Sequence, residues 1–280
     1  SSVALGDTAN ALGDHSVAVG SNAYVGSQNG IAIGNGAFVA PTGPKENKYG
    51  STYMAPTQGI AIGTNARVTG VYGVALGINA SAESPNSIAI GTNAYVTGKY
   101  GTAIGRYAYA GGKYATAIGE GARATGLYAT ALGSNSRADS DFSMAVGFNS
   151  YAHGRYATAV GTGAYAAYAG TSLGISARAG AKGATALGAD SKARSQGTIA
   201  IGDHAYAGQY SVNAPNAMAI GYHANAQGYA SIAQGGNAVA EGDSSIAIGN
   251  TSLASGDYGT AVGPFAVAQG ASSAAFGDTA

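Results

Sequence analysis

Residues able to do chemistry are sparse in this chain, which has four His among its 280 residues and no Cys. His204 and His223 stand at equivalent positions in successive copies of a repeat described below, so they could approach one another and bind a metal ion. The interpretation that we favour is that His replaces Asn there in a polar turn. The other two, His15 and His153, occupy different positions of the repeat.

Catalytic motifs are missing as well. The Gly-rich sequence contains phosphate-loop spacings, but none ends in Lys followed by Ser or Thr. Ser does not recur with a His and an acid, and without Cys there are no Cys-based zinc sites, disulfides or cysteine nucleophiles. No carboxylate column accompanies the His pair, which argues against a calcium-binding solenoid. The sequence therefore predicts a protein that is not an enzyme and needs no metal or cofactor.

Charge is distributed unevenly, although the net charge is zero. Residues 99–194 carry ten Lys or Arg and four acids, whereas residues 195–280 carry five acids and no Lys or Arg. Cations interleaved with rings suit sulfated glycans or acidic patches on matrix proteins, and would attract nucleic acid only nonspecifically. The alternative is that they only keep the protein soluble. The candidate ligand surface consists of Lys99, Lys113, Arg123, Arg137, Arg155, Arg178, Tyr95 and Tyr109.

The composition argues against an ordinary globular domain. There are 47 Gly, five Phe and no Trp, and charged residues make up 9% against roughly 25% in typical domains. No stretch reaches the ~18 consecutive apolar residues of a membrane-spanning helix. A net charge of zero with 46% apolar residues also disfavours disorder. The sequence thus predicts an ordered protein built from small residues.

A short core of Ala, an apolar residue and Gly recurs at nineteen places, with Gln234 in place of the apolar residue in one of them. Fifteen of the eighteen spacings between the core glycines are 14 residues, and the others are 13, 19 and 29. Counted from that Gly as position 0, position −2 is Ala except at Ser172, position +3 is Ala or Ser, and position +5 is Ala or Val. A fixed period of this kind is typical of a solenoid.

Two alternating stretches, at −5 to −1 and at +3 to +6, predict two short strands in each repeat. Gly and Asn at 0, +2 and +7 predict tight turns that tolerate positive φ. Each repeat then forms a flattened coil, and coils stacked ~4.8 Å apart make two parallel sheets of an all-β solenoid. The small residues at −2, +3 and +5 predict a very thin interior.

The bulkier residues at −3 and −1 point out of the coil and form an apolar stripe. Monomers rarely expose so large a contiguous patch, so we expect this face to be buried against another chain. Position −5 is expected to share the face, with Tyr100, Tyr114 and Tyr128 packed beside Thr at −3. The predicted interface includes Ile33, Ile62, Ile90, Ile104, Ile118, Leu132, Val146, Ile201, Ile220 and Ile248.

The serial core Ser-Val-Ala-Val-Gly or Ser-Ile-Ala-Ile-Gly at 16–20, 87–91 and 245–249 resembles the YadA-like head of trimeric autotransporter adhesins. The resemblance covers essentially the whole chain. It implies a left-handed parallel β-roll and a homotrimer. It also implies a place on the bacterial cell surface at the outer membrane, and adhesion to host matrix, cells or other surfaces. No stalk or anchor is recognised, so we expect a fragment whose membrane association depends on an anchor outside it.

We expect one continuous roll over residues 1–280, with loop insertions near 41–56 and 209–216 that either bind a ligand or are tolerated decoration. The predicted function is that of an adhesin head. The alternatives are a passive spacer whose binding domain lies elsewhere, and an ice- or mineral-binding solenoid. The last would need a flat Thr array, whereas Thr at −3 gives way to Val, Ile or Met in most copies.

Overall fold

The computed structural model describes residues 1–40, 45–46, 52–53, 58–209 and 214–279. The chain divides into two compact units, Ser1–Asp141 and Phe142–Ala280. Each unit is a parallel β-solenoid, and the ranges described contain no helix. The predicted all-β class and the parallel solenoid of stacked coils are confirmed.

Each coil contributes a three-residue strand at positions −3 to −1, called here the long strand. In the first unit the long strands are Val3–Leu5, Val17–Val19, Ile31–Ile33, Ile60–Ile62, Val74–Leu76, Ile88–Ile90, Thr102–Ile104, Thr116–Ile118 and Thr130–Leu132. In the second unit they are Met144–Val146, Thr158–Val160, Thr171–Leu173, Thr185–Leu187, Ile199–Ile201, Met218–Ile220, Ile232–Gln234, Ile246–Ile248, Thr260–Val262 and Ala274–Phe276.

A two-residue strand at positions +4 and +5, the short strand, forms the opposite side of the coil. In the first unit the short strands are Asn10–Ala11, Tyr24–Val25, Phe38–Val39, Arg67–Val68, Ser81–Ala82, Tyr95–Val96, Tyr109–Ala110, Arg123–Ala124 and Arg137–Ala138. In the second unit they are Tyr151–Ala152, Tyr165–Ala166, Arg178–Ala179, Lys192–Ala193, Tyr206–Ala207, Asn225–Ala226, Val239–Ala240, Leu253–Ala254 and Val267–Ala268.

Equivalent strands of consecutive coils pair in parallel, one repeat apart. Ile88 pairs with Thr102 and Ile90 with Ile104. Ile31 still pairs with its equivalent, Ile60, across the 29-residue spacing. The core pairing is kept at an irregular spacing because a one-residue slip would turn every side chain of the strand to the opposite face.

The predicted insertions fall largely outside the described residues. Of the one near 41–56, the structure describes only the antiparallel strands Lys45–Glu46 and Thr52–Tyr53. Of the one near 209–216, residues 210–213 lie outside the described ranges. A single continuous roll over residues 1–280 stays a prediction.

The interior of each coil holds little more than methyl groups. Except in the first and last coils, Ala at −2, +3 and +5 is buried, as Ala103, Ala108 and Ala110 illustrate, and the largest fully buried apolar side chains are those of Val. Position −4, which the sequence pattern did not single out, also points inward and holds buried Ala, Gly, Ser or Thr. The predicted thin interior therefore describes both units.

Several serines that replace alanine inside the coils donate their hydroxyls to a turn carbonyl, whereas the buried hydroxyls of Ser172 and Ser245 have no such partner among the described residues. The Ser136 hydroxyl, at +3, donates to the carbonyl oxygen of Gly133 at 2.8 Å, and the Ser231 hydroxyl, at −4, donates to that of Gly228 at 2.9 Å. In both cases the acceptor is the first carbonyl of the adjoining turn. A buried hydroxyl paired in this way avoids the cost of leaving a polar group unsatisfied.

The strands are shorter than the sequence pattern predicts. Positions −5 and −4 belong to a turn, with φ at 61° for Tyr100 at −5 and a hydrogen bond from the Gly101 N–H to the Gly98 carbonyl. The other turn has the same form, with φ at 56° for Asn93 at +2, as expected. A 14-residue coil reverses direction twice, and each reversal takes four residues, which leaves only short strands.

Glycine is needed at two turn positions for different reasons. At position 0, Gly91 has φ of 126°, and a Cβ there would lie 2.6 Å from the carbonyl oxygen of Gly105 in the next coil. At +7 the expected positive φ is absent. A Cβ on Gly98 would instead overlap the carbonyl oxygen of Gly112. The close stacking of turn backbones therefore explains glycine at +7.

We expect Ala117→Leu to destabilise the fold by at least about 1–3 kcal/mol, because the added atoms have no room inside the coil. The matched control is Ala189→Leu at position +1, a column that already carries Ile78 and Ile175 with 51% and 61% of their surface exposed. Thermal unfolding followed by circular dichroism measures both variants. Equal melting temperatures would contradict the assigned interior.

Candidate functional site

The outer face of the long strands is apolar in both units. All ten residues of the predicted interface stand at position −1 of this face. Ile33, Ile62, Ile118 and Ile248 expose 36–39% of their surface, and the other six are half-buried. The alternating pattern thus placed these residues correctly. Their role as a subunit interface stays a prediction.

The tyrosines at −5 do not belong to this face by strand alternation, because they lie in the turn. Tyr100 and Tyr114 stack with ring centroids 4.9 Å apart and planes 3° from parallel. Tyr114 and Tyr128 stack at 4.7 Å and 6°. Each of these rings therefore packs on its equivalent in an adjacent coil. The expected pairing with small residues at −3 was inferred from a strand that does not extend to −5.

Two of the candidate cations, Lys99 and Lys113, lie at position +8 on the equivalent turns of consecutive coils. The Lys99 ammonium is 5.1 Å from the centroid of the Tyr100 ring, and the Lys113 ammonium is 5.0 Å from that of Tyr114. Both lysines are exposed. Contacts of this length are favourable cation–π interactions.

The short-strand face carries a second set of candidates. Tyr95 and Tyr109 stack at 5.6 Å, and the Arg123 guanidinium lies 5.1 Å from the centre of the Tyr109 ring. Arg137 forms an ion pair with Asp139 at 2.9 Å, and Arg123 lies 3.9 Å from the same carboxylate. One acid therefore balances part of the charge of two arginines.

The second unit repeats both arrangements with other residues. Arg155, on the turn, lies 5.0 Å from the ring centre of Tyr156. Arg178, on the short-strand face, lies 4.7 Å from that of Tyr165. The eight residues that the sequence grouped as one ligand surface therefore occupy two surfaces within their units, the turn and the short-strand face.

Hydrogen bonds on the short-strand face involve residues that the sequence did not single out. The Tyr95 hydroxyl donates to a Glu83 carboxylate oxygen at 2.9 Å, and the Tyr109 hydroxyl lies 3.2 Å from that of Thr97. Burial raises the pKa of the Tyr95 phenol, and the hydrogen bond and the negative charge of Glu83 raise it further. The partners are at position +6, one coil earlier, so only the stacking of coils could reveal them.

The two histidines at +2 stack in the second unit with ring centroids 4.8 Å apart. Asp203 lies 2.8 Å from Nδ1 of His204, and Asp190 lies 3.9 Å from its Nε2. In the described part of the chain, no group of three His, Cys, Asp or Glu residues has an arrangement suited to a metal ion. The pair is an exposed polar stack within a column of turns.

A shallow cavity of about 290 Å³ lies in the second unit. It is lined by Gln209, Ala214, Gln227, Gly228, Tyr229, Glu241 and Asp243. The carboxylate of Asp243 already accepts the backbone N–H of Tyr229 at 2.8 Å. The cavity joins acids and amides but brings no nucleophile together with a base.

A family model described as the YadA head domain repeat, in two copies, matches most of the chain. The matched segments are residues 1–23, 57–80, 82–108, 110–136, 138–164, 170–191, 179–205, 213–233, 226–252 and 254–280. The chain belongs to the YadA head family. Matches that begin at 82, 110 and 138 advance by two repeats each, which is the same 14-residue register as the strand pairing. No curated protein matches the chain.

YadA heads belong to surface-exposed autotransporter adhesins, a family that is structural rather than enzymatic. The turns and outer faces of this YadA head, described above, are therefore the places where contacts with other molecules have to be sought. None of the described segments is a helix long and apolar enough to cross a membrane.

We expect Glu83→Gln to lower the pKa of Tyr95 toward its ordinary value, because both the charge and the strong acceptor are lost while burial remains. The titration of ¹³Cζ-labelled tyrosine followed by NMR measures this pKa. Glu120→Gln is the control, since Glu120 pairs with Arg106 at 3.1 Å and not with Tyr95. An unchanged Tyr95 titration in the Glu83 variant would contradict the described hydrogen bond.

Proposed function

We propose that this YadA head is the adhesive part of a homotrimeric surface protein that attaches a bacterium to host extracellular matrix, cells or other surfaces. The observation that carries the proposal is the combination of YadA head repeats along the chain with an apolar outer face in each unit. An apolar face needs a partner, and the family supplies the partner as further copies of the same chain.

The proposed interface is the outer face of the long strands. Its core consists of the ten residues at −1 named in the sequence analysis, which alternate with fully buried Ala at −2. A ladder of Ile, Leu and Val on consecutive coils presents an apolar surface in each unit, interrupted in the second unit by the exposed Gln234. Such a surface is costly in water and stabilising when two copies meet, by about 25 cal/mol for each Å² removed from solvent.

The remaining surface would be the adhesive one. Turns of consecutive coils are hydrogen-bonded to one another. The Tyr114 N–H donates to the Lys99 carbonyl and the Tyr128 N–H to that of Lys113, both at 2.9 Å. Side chains on these turns and on the short-strand face are therefore held in fixed columns. Little ordering is left to be done on binding, which favours affinity.

The experiment that tests adhesion is a binding screen of the purified oligomer against collagens, fibronectin, laminin, sulfated glycans and cultured cells. We expect saturable binding to at least one of them. A passive spacer would bind none, and that result would replace the proposed function with a structural one.

We expect Ile90→Asp with Ile104→Asp to disrupt the homotrimer, because burying unpaired carboxylates at an interface costs several kcal/mol. Ile78→Asp with Ile175→Asp is the matched control, since both side chains are on exposed turns. Analytical ultracentrifugation of wild type and both double variants measures the oligomer. A wild-type chain that sediments as a stable folded monomer would refute the interface.

A further inference from the structure

The turn that leads from the short strand to the next long strand carries a backbone donor at position +8. In three coils this N–H binds a carboxylate from the +8 residue of the following coil. The Leu127 N–H donates to Asp141 at 2.9 Å, the Tyr229 N–H to Asp243 at 2.8 Å, and the Asp243 N–H to Asp257 at 2.9 Å. The backbone N–H at +8 is thus a hydrogen-bond donor that points toward the next coil and can bind an anion there.

Lys99 and Lys113 hold this position in two consecutive coils that lack the carboxylate. The residues that follow them at +8 are Lys113 and Leu127. Among the residues that the structure describes, no acceptor meets the N–H of either lysine. Two donors that bind an anion elsewhere in the same fold are therefore unoccupied here.

The side chains of the same lysines add positive charge at this place. Neither ammonium forms an ion pair with a described carboxylate, and each lies about 5 Å from a tyrosine ring centre. The arginines nearby are different, since Arg106 pairs with Glu120 and both Arg123 and Arg137 lie within 4 Å of Asp139. The unbalanced charge of this region is on the turn rather than on the short-strand face.

The tyrosines of the turn limit what can bind. Tyr100, Tyr114 and Tyr128 stack face to face at 4.9 and 4.7 Å, so they cover one another's faces. Nucleic-acid bases bind an aromatic side chain by stacking on its open face. The faces that these tyrosines turn toward one another are already covered and cannot accept a base. Beside the rings, Gly111 and Gly112 carry no side chains. The cations and N–H groups of these turns therefore lie beside a surface that no side chain of Gly111 or Gly112 covers.

We propose that the two consecutive turns that carry Lys99 and Lys113 bind sulfate groups of a sulfated polysaccharide through the ammonium and backbone N–H groups of both lysines. Consecutive coils place equivalent residues ~4.8 Å apart, so a linear polyanion lying along the coils meets one cation and one amide per coil. A sulfate has three oxygens and accepts from an ammonium and an N–H together, as charge-assisted hydrogen bonds. The proposal rests on the proposed adhesive function and identifies one ligand class for it.

The decisive comparison uses immobilised heparin and two double variants of equal charge change. We expect Lys99→Gln with Lys113→Gln to weaken heparin binding about tenfold or more at low salt, because both unpaired cations are lost. We expect Arg123→Gln with Arg137→Gln to weaken it less than about threefold, because Asp139 already offsets part of the charge of these two arginines. Equal losses in the two variants, or no heparin binding by the wild-type oligomer, would overturn the proposal.

A second pair of variants tests the backbone donor. Lys113→Asp places a carboxylate where Asp141 stands relative to Leu127, so it should accept the Lys99 N–H and occupy the site. We expect it to bind heparin more weakly than Lys113→Gln and to slow hydrogen exchange of the Lys99 amide at an undiminished melting temperature. If Lys113→Asp and Lys113→Gln bind heparin equally, the amide takes no part and the proposal is wrong.

Competition decides the nature of the anion. Desulfated heparin, double-stranded DNA and poly-glutamate should each compete at least tenfold less well than heparin; equal competition by any of them rejects the assignment to sulfate groups. Adhesion to matrix proteins and cells is measured on the same preparations. Adhesion to a matrix protein or to cells without heparin binding rejects this site and leaves the proposed function, whereas binding to none of the screened ligands, heparin included, rejects both.

Discussion

The close stacking of equivalent coils limits which residue each position of the repeat can hold. The turn backbones of neighbouring coils are in contact, and the interior of a coil has room only for small side chains. Backbone groups of the strands pair with the equivalent strands of neighbouring coils, as Ile88 does with Thr102. Only Ala, Gly, Ser, Thr or Val fits inside, and glycine is required where a Cβ would meet the next coil's carbonyl. A chain under this constraint cannot build a core of large side chains, so its bulky apolar residues remain on the outside.

The same constraint explains the character of the surfaces. A residue type repeated at one position becomes a column, and large rings in a column stack, as Tyr100, Tyr114 and Tyr128 do. Cations placed beside the rings are held over them. Apolar residues at −1 become a ladder that favours association with further copies. Assembly and ligand binding would therefore use different positions of a single 14-residue unit.

The distribution of charge gains a physical meaning from the columns. Counting along the sequence assigns ten cations to residues 99–194, yet these are not equivalent. Asp139 lies close to Arg123 and Arg137 and lowers their effective charge. The ammonium groups of Lys99 and Lys113 lie beside tyrosine rings and pair with no described carboxylate. A surface of low overall charge can thus concentrate its binding strength in a few unpaired groups with fixed neighbours.

The sequence by itself determined the coil, its parallel stacking and the division between inside and outside. Those features follow from a strict period with Ala at −2 and apolar residues at −1, because a side-chain alternation of two admits only one assignment of faces. Tertiary structure decided the rest. The long strands begin at −3 rather than at −5, because two four-residue turns take up most of a coil, and Tyr100 therefore lies on a turn. Tertiary structure also brought Glu83 to Tyr95 and Asp141 to the Leu127 amide. Those partners lie about one repeat apart, and a contact between coils depends on turn geometry that no local pattern of residues encodes.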